Sequence, residues 1–202
     1  MKNSSFFLLI FLLICSCVKE EMPNHEEEEV VDPIEEVKRR NICEFDISDR
    51  DGTFDLFRTW EFAGFQNPNT QHLDNLTCMA RVANFALNGE DYENMKNITL
   101  NLNEEIEESG FCTGFPKFEA STFSYNFHGC FENVDEEISF IVSMEDREYI
   151  PKPESTTFPV LEFEENFLKA IQAAKAYQIE KYRLYLYSAE SNSRMVFVAL
   201  DD

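Results

Sequence analysis

Apolar and polar residues alternate with a period of two along much of the chain, which predicts short strands. Ile98, Leu100 and Leu102 alternate with Thr99, Asn101 and Asn103. Phe123, Tyr125 and Phe127 alternate with Ser124, Asn126 and His128, and Ile138, Phe140 and Val142 with Ser139 and Ser143. Between Phe57 and Phe65, Trp60 and Phe62 face one way with Glu61 between them. Two segments, Tyr182 to Tyr187 and Met195 to Leu200, are apolar on both faces, and Ser188 to Ser193 joins them as a hairpin loop. Pro151-Lys152-Pro153 marks a loop between the two groups of strands.

Helical spacing appears once clearly. Phe163, Phe167, Ile171 and Ala174 repeat on one face, with Leu168 widening the stripe. Glu162, Glu164 and Glu165 would stand in its first turn, where the helix dipole favours anions, with Lys169 and Lys175 further along. A second, shorter helix is expected over 77–87, with Met79, Val82, Ala83 and Ala86 as its apolar positions. The fold class that follows is mainly β (α+β): a small curved antiparallel sheet or barrel with a C-terminal helix packed across it. The 20 phenylalanines are enough to build its core without a cofactor.

Residues 6–17 break this pattern. A continuous apolar run follows Lys2, is too short for the roughly 20 residues that span a bilayer, and gives way at once to Lys19, Glu20 and Glu21. This is a secretory signal, and Ile14-Cys15-Ser16-Cys17 resembles a bacterial lipobox. The resemblance implies cleavage before Cys17 and acylation of its sulfur, with several chains giving a stable anchor. Val18-Lys19-Glu20-Glu21 resembles the signal that carries Bacteroidetes lipoproteins to the outer face of the outer membrane. The expected organisation is a signal peptide at 1–16, a lipidated cysteine with an acidic tether at 17–40, and one domain at 41–202. The tether holds two prolines, no aromatic residue and the run Glu26 to Glu29, too little apolar surface to fold.

Four of the six cysteines remain in the domain. In an exported protein they point to disulfides. Cys112 and Cys130 flank one strand-turn-strand segment and are the favoured pair, leaving Cys43 with Cys78; buried free thiols are the alternative.

Most of the net charge of −22 falls on the domain, with no basic patch, which argues against nucleic-acid binding and against adhesion to anionic lipid. Cationic partners are favoured by long-range steering. Asp46, Asp49, Asp51 and Asp55 around Gly52 suggest a cation loop, but in an EF-hand register Ile47 and Arg58 fall on ligand positions, so a solvated turn is preferred. His25, His72 and His128 share no ligand spacing, and a zinc site from His128, Cys112 and Cys130 competes with the disulfide. No metal, cofactor or catalytic fingerprint is assigned.

The order of the later elements resembles the META/HslJ-like domain of bacterial envelope lipoproteins. The resemblance rests on Thr59-Trp60-Glu61-Phe62, Ser109-Gly110, Phe167-Leu168-Lys169-Ala170-Ile171, Tyr177-Gln178-Ile179 and Leu184-Tyr185-Leu186-Tyr187. It implies a curved sheet or barrel crossed by a helix, and a compartment rather than a reaction. The expected function is that of a non-enzymatic, lipid-anchored, monomeric surface protein binding a peptide or protein partner. The alternative is a carrier holding a small apolar ligand in a barrel cavity.

Overall fold

The computed structural model describes residues 43, 52, 54–88, 97–106, 108–143, 148–149, 158–188 and 193–200. Nine strands are described: β1 (Thr59–Gln66), β2 (Thr99–Ile106), β3 (Pro116–Ser121), β4 (Tyr125–Val134), β5 (Glu137–Val142), β6 (Glu148–Tyr149), β7 (Ala174–Glu180), β8 (Arg183–Ser188) and β9 (Arg194–Ala199). Two helices accompany them, α1 (Leu76–Asn88) between β1 and β2 and α2 (Phe158–Ala173) between β6 and β7.

Every pairing is antiparallel, and all strands but β6 join into a ring in the order β1, β2, β3, β4, β5, β7, β8, β9 and back to β1. The result is an eight-stranded closed barrel. Closure removes the exposed sheet edges that invite non-native pairing. The ring is weakest at β5 and β7, which share the pair Glu137–Ala176 and a bond from the Tyr177 N–H to the Glu136 carbonyl. Helix α2 packs on β5 and β8 near this seam.

Eight strands leave an interior just wide enough for side chains or one small ligand. Here phenylalanine rings occupy it. Trp60, Phe62, Leu100, Leu102, Phe118, Phe131 and Phe197 are fully buried from the wall. Helix α2 adds Phe163 and Phe167 from one end, and the Phe62 ring lies 5.0 Å from Phe167 and 5.1 Å from Phe197. Phe118 meets Phe140 at 5.1 Å, edge to face. These separations lie in the favourable range for aromatic pairs. The Trp60 indole N–H donates to the Leu56 carbonyl at 3.0 Å, so burying it leaves no donor unpaired.

Gly129 in β4 shows how close the wall is drawn. A Cβ there would lie 2.0 Å from the Ile141 carbonyl oxygen and 2.8 Å from the Phe118 ring. No rotamer relieves a clash with backbone, so only glycine fits.

The helices correct the sequence reading in two places. Helix α2 begins at Phe158 rather than near Phe163, because Pro159 suits the first turn, where an N–H is not needed. Glu162, Glu164 and Glu165 therefore lie in the body of the helix. It ends at Ala173, and Ala174 and Lys175 open β7 with no intervening loop. Helix α1 exists where expected but turns the other way. Met79 and Val82 are 51% and 38% exposed, whereas Thr77, Ala80, Arg81 and Asn84 are buried. The reason is a bulge in β1 between Phe62 and Gly64. Arg81 reaches it and donates from Nη2 to the Phe62 carbonyl at 3.0 Å, so the polar face of α1 packs inward. Pro151 to Pro153 lie outside the described residues. Strands β3, β6 and β7 were not expected from periodicity.

One buried carboxylate ties α2 to the wall. Glu164 is 7% exposed, and its Oε1 accepts from the Thr122 hydroxyl at 3.1 Å and from the Ser124 N–H in the β3–β4 turn. Glu164→Ala would strip both donors of this acceptor and cost about 2–3 kcal/mol, whereas Glu164→Gln keeps an acceptor and should cost less than half as much. Gly129→Ala should cost about 2–3 kcal/mol through overpacking. Urea unfolding midpoints check all three variants, and a Glu164→Ala midpoint equal to wild type would remove the tie.

Candidate binding sites at the barrel mouth and wall

Helix α2 crosses the barrel mouth, and a hollow opens on each of its flanks. On one flank a cavity of about 380 Å³ lies between α2, the start of α1 and the ends of β1, β8 and β9. Phe65, Leu76, Ala170, Leu186 and Met195 give it an apolar floor. Asp74, Asn166, Lys169, Ser188 and Ser193 form a polar rim. This size, with few polar groups around an apolar base, suits a small ligand or one large side chain of a peptide.

Asp74 is fixed because it caps α1, accepting from the backbone N–H groups of Leu76 and Thr77. Burial pushes its carboxyl above the ordinary aspartate range, and the two N–H donors offset only part of that. Lys169 is paired with Glu165 one turn back at 2.6 Å, on the exposed face of α2. Lysine beside it holds the Glu165 carboxyl below its ordinary value.

On the other flank a hollow of about 320 Å³ is lined by Tyr125, Phe127, Leu161 and Leu168, with Thr122, Glu164 and Glu165. A third hollow, about 430 Å³, lies on the outer wall across β1 to β4. Cross-strand pairing lines up Thr59, Asn101, Glu119 and His128 there, with Thr99, Ser121 and Asn126 in the next row. Glu119 faces His128 across the strands, but the Ser121 hydroxyl donates to Asn126 Oδ1 at 2.8 Å. Its proton is committed there rather than to the imidazole.

The residues singled out from sequence fall as follows. Cys112 is bonded to Cys130 and Cys43 to Cys78, with Cα separations of 5.2 and 4.8 Å. The first bond removes both thiolates from any zinc site with His128, which is exposed, as is His72. Among the described residues no group of three histidine, cysteine, aspartate or glutamate side chains could hold a metal. Cys17, His25 and most of the 46–55 acidic loop lie outside the described residues. Asp74, Asn166 and Lys169 were not anticipated as rim residues. Glu164 could have been, because it shares the helical stripe of Val160, Phe163, Phe167 and Ile171.

No family model matches the chain, and no curated protein matches it. The solved structures it matches include two at low identity. One is a DUF4847 family protein from Bacteroides vulgatus, at 15% identity and a TM-score of 0.42, covering 72% of this chain and 94% of that one. The other is a protein from Burkholderia xenovorans, at 12% identity and a TM-score of 0.45, covering 79% and 99%.

Proposed function

We propose that this chain is a non-enzymatic, lipid-anchored cell-envelope protein whose barrel binds a peptide or protein partner at the cell surface. In this reading Cys17 carries the acyl chains, and residues 18–40 hold the domain, an envelope-lipoprotein domain of the META/HslJ-like kind, away from the outer membrane. The observation that carries the binding role is the filled interior beside an accessible hollow on the flank of α2. Rings occupy the barrel, while the cavity on the α2 flank keeps an apolar floor and a polar rim. A bound group can sit there without displacing the core. Recognition by an added strand is disfavoured, because the ring leaves few free edges.

A carrier of a small apolar ligand is the second reading. It is favoured by the eight-strand closure and by a cavity within the range of small-molecule sites. The two readings differ in the mass of what occupies the mouth.

A photo-crosslinking residue at Ala170, in the cavity floor, tests both in living cells. A polypeptide adduct supports the partner reading, and an adduct of a few hundred daltons at most (the scale of a small ligand) supports the carrier. Absence of either adduct would remove the mouth as the site. The anchor is tested separately by the intact mass of membrane-fraction protein. The expected mass is residues 17–202 plus acyl chains, and Cys17→Ser should abolish both acylation and membrane retention. An unacylated wild-type mass would overturn the anchor.

A further inference from the structure

The loop between β2 and β3 displays apolar side chains that the fold does not use. Ile106, Phe111 and Phe115 are 63%, 56% and 38% exposed, although the domain has buried most of its other described phenylalanines. Exposed apolar residues are unremarkable singly, but a cluster marks an interaction surface. These cluster because of Cys112. It lies between the two phenylalanines and is bonded to Cys130 on the outward face of β4, with both cysteines buried. Cys130 pairs across the sheet with Ile141 of β5, which is itself 53% exposed, and Ile106 pairs with Pro116 at the base of the loop.

The loop is also held in one shape. Gly110 and Gly114 adopt φ of +101° and +86°, the left-handed region that favours glycine. The Thr113 hydroxyl donates to the Gly110 carbonyl at 2.8 Å, and the Phe115 N–H to the Cys112 carbonyl at 2.9 Å. A disulfide that staples a loop to the wall while its phenylalanines face water adds little to the core. What it does is remove in advance the ordering cost that a binding loop would otherwise bear.

The surroundings select the partner. Glu104, Glu105, Glu108 and Glu119 are exposed on the loop and the adjoining strands, with Lys117 the base among them. An acidic rim is repelled by anionic lipid and costly to bring against a bilayer, but it complements a cationic polypeptide. We infer that the stapled β2–β3 loop is a docking surface for a polypeptide segment with an apolar anchor flanked by lysine or arginine. This surface is distinct from the barrel mouth, and the inference stands or falls without the mouth reading.

The test compares the full chain, oxidised, with a Phe111→Ser/Phe115→Ser variant whose thermal unfolding confirms an intact fold. The probe is a short peptide alternating lysine and leucine, and the controls are an all-lysine peptide and a glutamine-leucine peptide of equal length. The expected result is binding that weakens with salt, exceeds that of both controls, and falls at least about tenfold in the variant. Equal binding by the variant would overturn the inference, as would equal binding of the all-lysine peptide, which reads net charge alone. Phe111- and Phe115-dependent self-association in sedimentation, or adsorption to phosphatidylcholine vesicles, would assign the patch to a second copy or to a membrane instead.

Discussion

The packing of α2 into the barrel mouth is the constraint on which the rest of the structure depends. A ring of eight strands encloses a column that must be filled by side chains or left to a ligand. Phe163 and Phe167 enter that column from the helix and meet Phe62, which in turn meets Phe197, its cross-strand partner on β9. Phe123 in the β3–β4 turn touches Phe163 at 5.5 Å, and Glu164 accepts hydrogen bonds from the same turn. Withdrawing the helix would therefore expose rings on both sides and leave the Ser124 N–H in the β3–β4 turn without its Glu164 acceptor. The seam between β5 and β7 has few hydrogen bonds, and α2 packing against β5 supplies cohesion where the ladder is thin.

That arrangement decides where binding can occur. With the column occupied, accessible hollows lie along the flanks of α2 and on the outer wall. The β8–β9 wall is buried on both faces, since Val196, Val198 and Tyr185 are covered as well as Phe197 and Leu184. Arg194 lies 3.9 Å from the Tyr185 ring centre, close enough for a cation–π contact that shields the aromatic face. This side of the barrel thus offers little apolar surface to a partner. Exposed apolar side chains lie instead on α1 and α2, at Val134, and around the β2–β3 loop.

Much of the barrel was legible in the sequence, and the failures have physical causes. Strands with one apolar face, such as Ile98 to Leu102 and Ile138 to Val142, announce themselves by period two. The doubly apolar runs at 182–187 and 195–200 also read correctly, because both faces are buried in fact. Strand β3 reads poorly, since in Pro116–Ser121 only Phe118 and Ala120 face inward and the rest is polar. Periodicity misses β7 because it follows α2 without a break, and Ala174 fits both the helical stripe and the strand. The face of α1 was misread because an arginine and an asparagine face inward there, and hydropathy cannot foresee a backbone carbonyl awaiting a donor at a bulge. The mouth was illegible for a related reason: Asp74, Lys169 and Met195 are brought together only by closure of the ring.

The two disulfides show a division of labour that composition alone would not suggest. Loops of 18 and 35 residues are closed by Cys112–Cys130 and Cys43–Cys78. In a chain-entropy account each would stabilise by about 3–4 kcal/mol, mainly by restricting the unfolded chain. Neither bond crosses the aromatic column. Cys112–Cys130 pins a solvent-facing loop to the outer wall. Cys43–Cys78 joins the start of the described chain to α1, the helix whose Arg81 supports the β1 bulge. The aromatic core does not need them to be contiguous, so their consequence for the native state is positional. Cys112–Cys130 fixes an exposed loop relative to a barrel already held together by its rings, and a fixed exposed segment binds with less entropy to lose.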